Sequence, residues 1–103
     1  MCKTEIANRV LEIVSKETEV SVQEIKGKGK TIDIVDARYL VVYFLYKNGF
    51  YTSDISRIIG IGTHAVRLII RNFDTRRTQS GMLFEINLKR IGKHLENDSL
   101  MWI

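Results

Sequence analysis

The chain contains no proline and only seven glycines in 103 residues. Proline and glycine mark most tight turns, and a fold built from many short strands needs such turns at close intervals. This sequence has too few of them and is rich instead in Leu, Ile, Val, Lys, Arg and Glu. It therefore predicts an all-α fold, and its length is that of about one domain.

The longest apolar stretch runs from Thr31 to Asn48 and is predicted to be the central helix. Its β-branched and aromatic side chains also suit a buried strand, but 18 residues is far more than the ~5–6 of a typical strand. Asn48 and Gly49 then end the stretch with residues that tolerate the left-handed conformation found after helix C-termini.

Apolar residues at helical spacing predict further helices on both sides of the central one. From about Thr4 to Lys16 they recur at i, i+4, i+7 and i+8, which draws one apolar stripe along a helix. The segment Ser21-Val22-Gln23-Glu24 has the form of a capping box and predicts a short helix ending near Lys26. Ser80 is the predicted N-cap of a last helix. Its apolar residues are Leu83, Phe84, Ile86, Leu88, Ile91 and Leu95.

Between the central helix and the last one, the sequence predicts a helix-turn-helix. Thr52 or Ser53 can cap a short helix, which Gly60-Ile61-Gly62 ends after about two turns. Thr63 is the predicted N-cap of a second helix that reaches about Arg76. A three-residue turn containing glycine has the length and chemistry of this motif. The complete prediction is about six helices around one core.

The second helix of this unit, 63–76, is predicted to have one apolar and one basic face. Residues placed about 100° apart around its axis put four apolar side chains within one arc. These are Val66, Ile69, Ile70 and Phe73. His64, Arg67 and Arg71 share the opposite face, with Thr63 close by. The next residues, 76–79, are predicted to be a basic connector.

The net charge of +4 is distributed unevenly along the chain. Residues 26–93 contain 13 Lys and Arg against five acids, a net of +8, whereas residues 1–25 and 94–103 each carry −2. A polyanion would be attracted by the middle segment, although a solvated surface of mixed charge is the alternative. Within it, the segment 26–30, Lys-Gly-Lys-Gly-Lys, is predicted to be a flexible basic loop.

Nothing in the sequence assembles a catalytic or metal site, so we expect no enzyme, no cofactor and no metal. His64 and His94 lie far apart without a ligand at metal spacing, and Cys2 as the only cysteine allows no disulfide. No apolar run has the length of a membrane span, and the N-terminus lacks a signal-peptide core. We therefore expect a cytoplasmic protein that does not bind membranes.

Residues 98–103 are treated as a separate apolar tail after a single domain of residues 1–97. The tail contains Leu100, Met101, Trp102 and Ile103. Such a terminus is a candidate contact for a homodimer or for a protein partner.

Several short motifs, in this order, resemble the C-terminal DNA-binding domain of the bacterial replication initiator DnaA. The first part of the resemblance comprises residues 21–26, the basic loop, Asp33-Ile34-Val35 and Ala37-Arg38-Tyr39-Leu40, with Tyr43 one turn later. Ser53 to Gly60 is similar to the first helix of that family's helix-turn-helix. Thr63-His64-Ala65-Val66 lies where its Asp-His-Thr-Thr signature begins the recognition helix. The resemblance covers about residues 5–96.

The resemblance implies a role in DNA binding for individual residues. Arg38 matches an arginine that reaches into the minor groove from the start of the long helix. Lys28 and Lys30 match phosphate contacts of the basic loop, and His64 and Ala65 match positions that face bases in the major groove.

The chain departs from the family where the recognition helix begins. The family's Gly-Arg-Asp before the histidine reads Ile61-Gly62-Thr63 here, so the arginine and aspartate contacts are lost. Arg67 and Arg71 are the candidates to replace them. There is no Walker sequence and no room for an ATPase module. The resemblance thus implies a free-standing relative, from a phage, a mobile element or a regulatory system.

These observations favour a protein that binds double-stranded DNA for transcription or replication control. Helix 63–76 would lie in the major groove and loop 26–30 on phosphates. The alternative is a protein-interaction adaptor that keeps the fold after losing base reading.

Overall fold

The computed structural model describes residues 2–97, which form six α-helices. They are α1 (Lys3–Thr18), α2 (Val22–Ile25), α3 (Ile32–Lys47), α4 (Thr52–Ile59), α5 (Thr63–Gln79) and α6 (Met82–Asn97). No strand occurs in this part of the chain. The predicted all-α fold with six helices around one core is confirmed. None of these helices is both long enough and apolar enough to cross a membrane.

Helix α3 is the centre of the fold, as its apolar sequence predicts. It packs against α1, α2, α4 and α5, while α1 also packs against α6. Seven apolar side chains of α3 are buried, on more than one side of the helix. They are Ile34, Ala37, Leu40, Val41, Val42, Phe44 and Leu45. Burying the larger of these stabilises the fold by roughly 1.5–3 kcal/mol each relative to exposure.

Aromatic contacts fix α5 against this central helix. The rings of Tyr43 and Phe73 are stacked with their centroids 4.3 Å apart, which joins α3 to α5. Phe73 also contacts Phe84 of α6 at 5.7 Å. Phe73 therefore contacts both α3 and α6, and together with Val66 and Ile69 it forms the buried face of α5.

The predicted N-cap agrees with the structure at α2 but not at α4 and α5. Ser21 forms the predicted capping box, because its hydroxyl accepts from the Glu24 amide at 3.0 Å and its amide donates to the Glu24 carboxylate at 3.1 Å. Thr52, Ser53 and Thr63 are not caps. Thr52 and Thr63 are the first helical residues after Tyr51 and Gly62 respectively, and Ser53 follows Thr52 inside α4.

The boundary between α5 and α6 differs from the prediction. The segment 76–79 is the last turn of α5 and not a connector, and Ser80 ends α5 where it was expected to begin α6. The helix continues because the first residue that favours another conformation is Gly81, with φ of 82°. Basic residues in a last helical turn are also favoured by the helix dipole.

The apolar pattern predicted for α6 is only partly buried. Phe84, Leu88, Ile91 and Leu95 lie in the core. Leu83 and Ile86, which were assigned to the same stripe, are 69% and 40% exposed, and Met82 beside them is 79% exposed. The predicted apolar tail at residues 98–103 lies outside the described residues.

Candidate nucleic-acid interface

Helices α4 and α5 are joined by a tight turn at residues 60–62. Gly60 has a φ of 75°, in the left-handed region that glycine adopts readily. Its amide donates to the Ser56 carbonyl at 2.9 Å, and the Ser56 hydroxyl donates to the Ile61 carbonyl. Ile59 and Val66, on either side of the turn, are fully buried. The turn therefore holds the first turn of α5 in one orientation.

The outward face of α5 carries the residues that the sequence predicts for DNA contact. His64, Arg67 and Arg71 are exposed, while Thr63 and Ala65 are half-buried. The opposite face buries Val66, Ile69 and Phe73, as expected, and Ile70 is half-buried at its edge.

Arg67 and Arg71 lie one helical turn apart, at the i, i+4 spacing that brings side chains together. No carboxylate of residues 2–97 forms an ion pair with either guanidinium. Two like charges at this spacing disfavour each other, and an anion placed between them would relieve the repulsion. Thr75 and Thr78 lie on the same face of α5 as Arg67 and Arg71. No role was predicted for them from the sequence, although their helical spacing from Arg71 predicts this position.

The two arginines at the C-terminal end of α5 are both paired with carboxylates. Arg76 forms an ion pair with Asp36, and Arg77 donates two hydrogen bonds of 2.6 Å to the Glu85 carboxylate. The hydrogen bonds from Arg77 lower the pKa of Glu85, and the same bonds raise the pKa of Arg77. The cations of α5 without an acidic partner are thus confined to its first half.

Arg38 does not take the position that the resemblance implies. It is only 8% exposed, and its guanidinium donates to four main-chain carbonyls at the end of α2 and in the basic loop. The acceptors are Glu24, Ile25, Gly27 and Gly29. A side chain held in this way does not reach outward to a minor groove. The expected groove contact is therefore replaced by a contact within the protein.

The basic loop is consequently linked to α3 by hydrogen bonds, a constraint that its glycines alone do not predict. A Cβ on Gly29 would lie 2.8 Å from the Ile34 Cδ1 atom, and one on Gly27 would lie 3.2 Å from the Gln23 carbonyl oxygen. Both glycines are packed closely against their neighbours. Lys28 and Lys30 remain exposed at this loop.

The basic loop lies beside the turn between α4 and α5. A Cβ on Gly60 would be 3.4 Å from the Lys26 carbonyl oxygen. This main-chain approach brings together two segments that are more than thirty residues apart in sequence. The structure thus places the predicted phosphate-contacting loop next to the start of the predicted recognition helix.

A cleft of about 360 Å³ lies between α1 and α4, beside the basic loop. Lys26 and Arg57 line it together with Lys3, and Asp54 accepts from both Lys3 and Arg57, at 3.5 and 3.2 Å. Sequence reasoning assigned no role to Lys3 or Arg57, because neither lies at a recognisable spacing from the loop.

The two histidines lie in different parts of the structure. His64 is exposed on α5, and the His94 Nε2 atom lies 3.7 Å from the Glu17 carboxylate. Across residues 2–97, no three His, Cys, Asp or Glu side chains are grouped in a way that could hold a metal ion. Cys2 is exposed with a free thiol.

No protein-family model matches the sequence, and no curated protein matches it. The resemblance to the DnaA domain therefore stays a prediction based on motifs.

Proposed function

We propose that this protein binds double-stranded DNA, with α5 in the major groove and the basic loop, residues 26–30, on the phosphate backbone. One observation carries the proposal. The Lys26 carbonyl lies against Gly60, which places a loop of three exposed lysines beside the turn that leads into α5, a helix with an exposed basic face. Adjacent basic segments of this kind are complementary to the negatively charged phosphates of a duplex.

Each side chain of α5 has a role that follows from its position. Arg67 is exposed near the start of a rigid helix, where an arginine can donate two hydrogen bonds to one guanine. Thr63, His64 and Ala65 occupy the first turn, which approaches base edges in this docking geometry. Arg71, one turn beyond Arg67, is within reach of the same groove or its flanking phosphates.

The biological setting is proposed from the DnaA resemblance. A domain of this kind would act in the bacterial cytoplasm, in transcription or replication control. The changed sequence at residues 61–63 indicates a site different from the family's DNA box. Base contacts would come from Arg67 and Arg71.

The test is duplex binding measured by fluorescence anisotropy at several salt concentrations. With four to six cations on phosphates, the logarithm of the affinity should fall with the logarithm of salt with a slope of roughly −4 to −5. Selection of duplexes from a random pool, followed by sequencing, would give the preferred site. Lys16→Ala, which changes an exposed lysine of α1, is the control and should leave the slope unchanged. Absence of duplex binding at low salt would refute the proposal.

One observation favours the alternative, a protein-interaction adaptor. Met82, Leu83 and Ile86 expose large apolar side chains at the start of α6. Exposed apolar side chains placed together are typical of protein contacts. This function would be supported if the chain bound no duplex and if Leu83→Ser abolished an association seen for the wild-type chain by ultracentrifugation.

A further inference from the structure

The Gly27 and Gly29 carbonyl groups of the basic loop point inward to Arg38. The Arg38 Nη1 atom donates to the Gly29 carbonyl at 2.7 Å, and Nη2 donates to the carbonyl of Gly27. The Nε atom donates to the Ile25 carbonyl at 2.8 Å. One planar guanidinium thus determines the orientation of alternate peptide groups along the loop.

These inward carbonyls orient the amides of the lysines that follow them. In a trans peptide, the N–H group points opposite to the C=O group of the preceding residue. The described chain contains no cis peptide bond. The amides of Lys28 and Lys30 therefore point away from Arg38. Among residues 2–97, neither amide has a hydrogen-bond acceptor, and both residues are exposed.

We propose that the loop binds phosphate oxygens of duplex DNA through the main-chain amides of Lys28 and Lys30, and that Arg38 positions these amides. The proposal rests on the duplex binding proposed above and adds the donors that make the contact. Each of the two amides has no acceptor within the described residues and faces away from Arg38, and each belongs to an exposed lysine, so each can donate to a phosphate oxygen beside an ammonium group. Arg38 is then a positioning residue that does not itself touch DNA.

The positive charge of the guanidinium strengthens this arrangement. Its positive charge lies behind the loop and polarises the peptide groups whose amides face the ligand. A lysine at this position could not satisfy four carbonyls arranged around a planar fork, because it has three donors on a single atom.

The experiment is a two-dimensional ¹H–¹⁵N NMR titration of the full chain with a short duplex. Amide protons that donate to phosphate oxygens shift downfield, so the Lys28 and Lys30 amides should move downfield as the duplex is added. The same shifts should persist in the Lys28→Ala/Lys30→Ala variant at higher duplex concentration, because that variant keeps both amides. If α5 amides shift while the two loop amides do not, the proposal is wrong.

A parallel titration with inorganic phosphate, against chloride at equal ionic strength, separates this proposal from the proposed function. If phosphate shifts the two amides and duplex shifts no amide, the anion site stands and duplex binding fails. If neither ligand shifts any amide, both fail. Shifts with both ligands support the assignment to a DNA phosphate.

The position of Arg38 is tested in the same spectra without any substitution. Its Nε–H signal should be visible, slow to exchange with solvent, and nearly unchanged by the duplex, since its partner is a carbonyl within the protein. In Arg38→Lys, the downfield shifts of the loop amides should be lost while α5 amides still respond. Contacts between Arg38 protons and minor-groove protons in the complex would overturn the positioning role.

Discussion

The Arg76 Nε atom lies 2.7 Å from the Asp36 Oδ1 atom and ties the last turn of α5 to the first half of α3. The same carboxylate oxygen accepts from the Ser80 hydroxyl at 3.1 Å. Both members of the ion pair are mostly shielded, with side-chain exposures of 25% and 19%. Arg76 thus contributes to the orientation of α5, the proposed recognition helix, and its charge is already paired within the protein.

Asp36→Ala should lower the free energy of unfolding by about 1–2 kcal/mol, between the values typical of exposed and buried ion pairs. The substitution leaves Arg76 and Ser80 without their common acceptor. Urea denaturation followed by circular dichroism measures the change. Asp74→Ala, which removes an exposed carboxylate from α5, is the control and should change stability by less than about 0.5 kcal/mol. Equal effects of the two substitutions would show that the ion pair contributes nothing specific.

The Arg77–Glu85 pair should make the stability of the fold depend on pH in the acidic range. Hydrogen bonds from Arg77 lower the pKa of Glu85 from its ordinary value of 4.5. A depressed carboxylate pKa in the folded state stabilises the protein above the unfolded pKa and stops doing so as pH falls through the folded pKa. The melting temperature of Glu85→Gln should therefore lie below that of the wild type at neutral pH. The difference should shrink below about pH 4.5. A difference that is constant over this range would exclude the linkage.

Two glycine-to-alanine substitutions should change stability in opposite directions. Gly60→Ala places a Cβ at a φ of 75° and 3.4 Å from the Lys26 carbonyl oxygen. We expect it to destabilise the fold by roughly 1–2 kcal/mol. Gly92 lies inside α6, where a Cβ would be 4.0 Å from the Phe44 ring. Gly92→Ala should therefore stabilise the fold by about 0.5–1 kcal/mol through helix propensity. Thermal unfolding of both variants checks the signs.

Replacing the loop lysines should weaken binding to every duplex alike. Lys28→Ala/Lys30→Ala removes two ammonium groups, and the salt slope should become shallower by about two. Preference between the selected site and a scrambled duplex should not change, because phosphates are the same in both. Anisotropy titrations with both duplexes at several salt concentrations measure slope and preference together. A change in preference would indicate that the loop reads sequence.

Replacing Arg67 should instead reduce preference. Arg67→Ala removes a side chain that can contact one or two base pairs, which is worth ~1–3 kcal/mol of discrimination. Affinity for scrambled duplex should fall only slightly. Competition between the selected site and the scrambled duplex provides the measurement. If affinity for both duplexes falls in equal proportion, α5 does not read bases and the protein is at most a general DNA-coating domain.

The local sequence pattern was sufficient to predict the helices but not which of their apolar side chains are buried. The length of the apolar stretch identified α3, and the Ser21 capping box was correct because both of its partners lie within three residues. The exposure of Leu83 and Ile86 could not be read in the same way. Helical spacing gives two adjoining apolar faces on α6, and only the neighbouring helices decide which one is covered.

The direction of the Arg38 side chain could not be predicted because its partners are distant in sequence. Its acceptors lie nine to fourteen positions earlier in the chain. Main-chain carbonyls leave no signature in side-chain identity. The family resemblance places an arginine at this position but carries no information about the direction of its side chain. The same limitation applies to the approach of Lys26 to Gly60, which depends on how α2 packs beside α4.

We expect the basic loop to keep its conformation in the free protein, because hydrogen bonds from Arg38 hold its carbonyl groups. Association would then require little loss of backbone freedom, in contrast to basic arms that fold as they bind. Calorimetry of duplex binding should accordingly show a heat-capacity change proportional to the apolar surface buried between rigid partners, without the larger contribution of coupled folding.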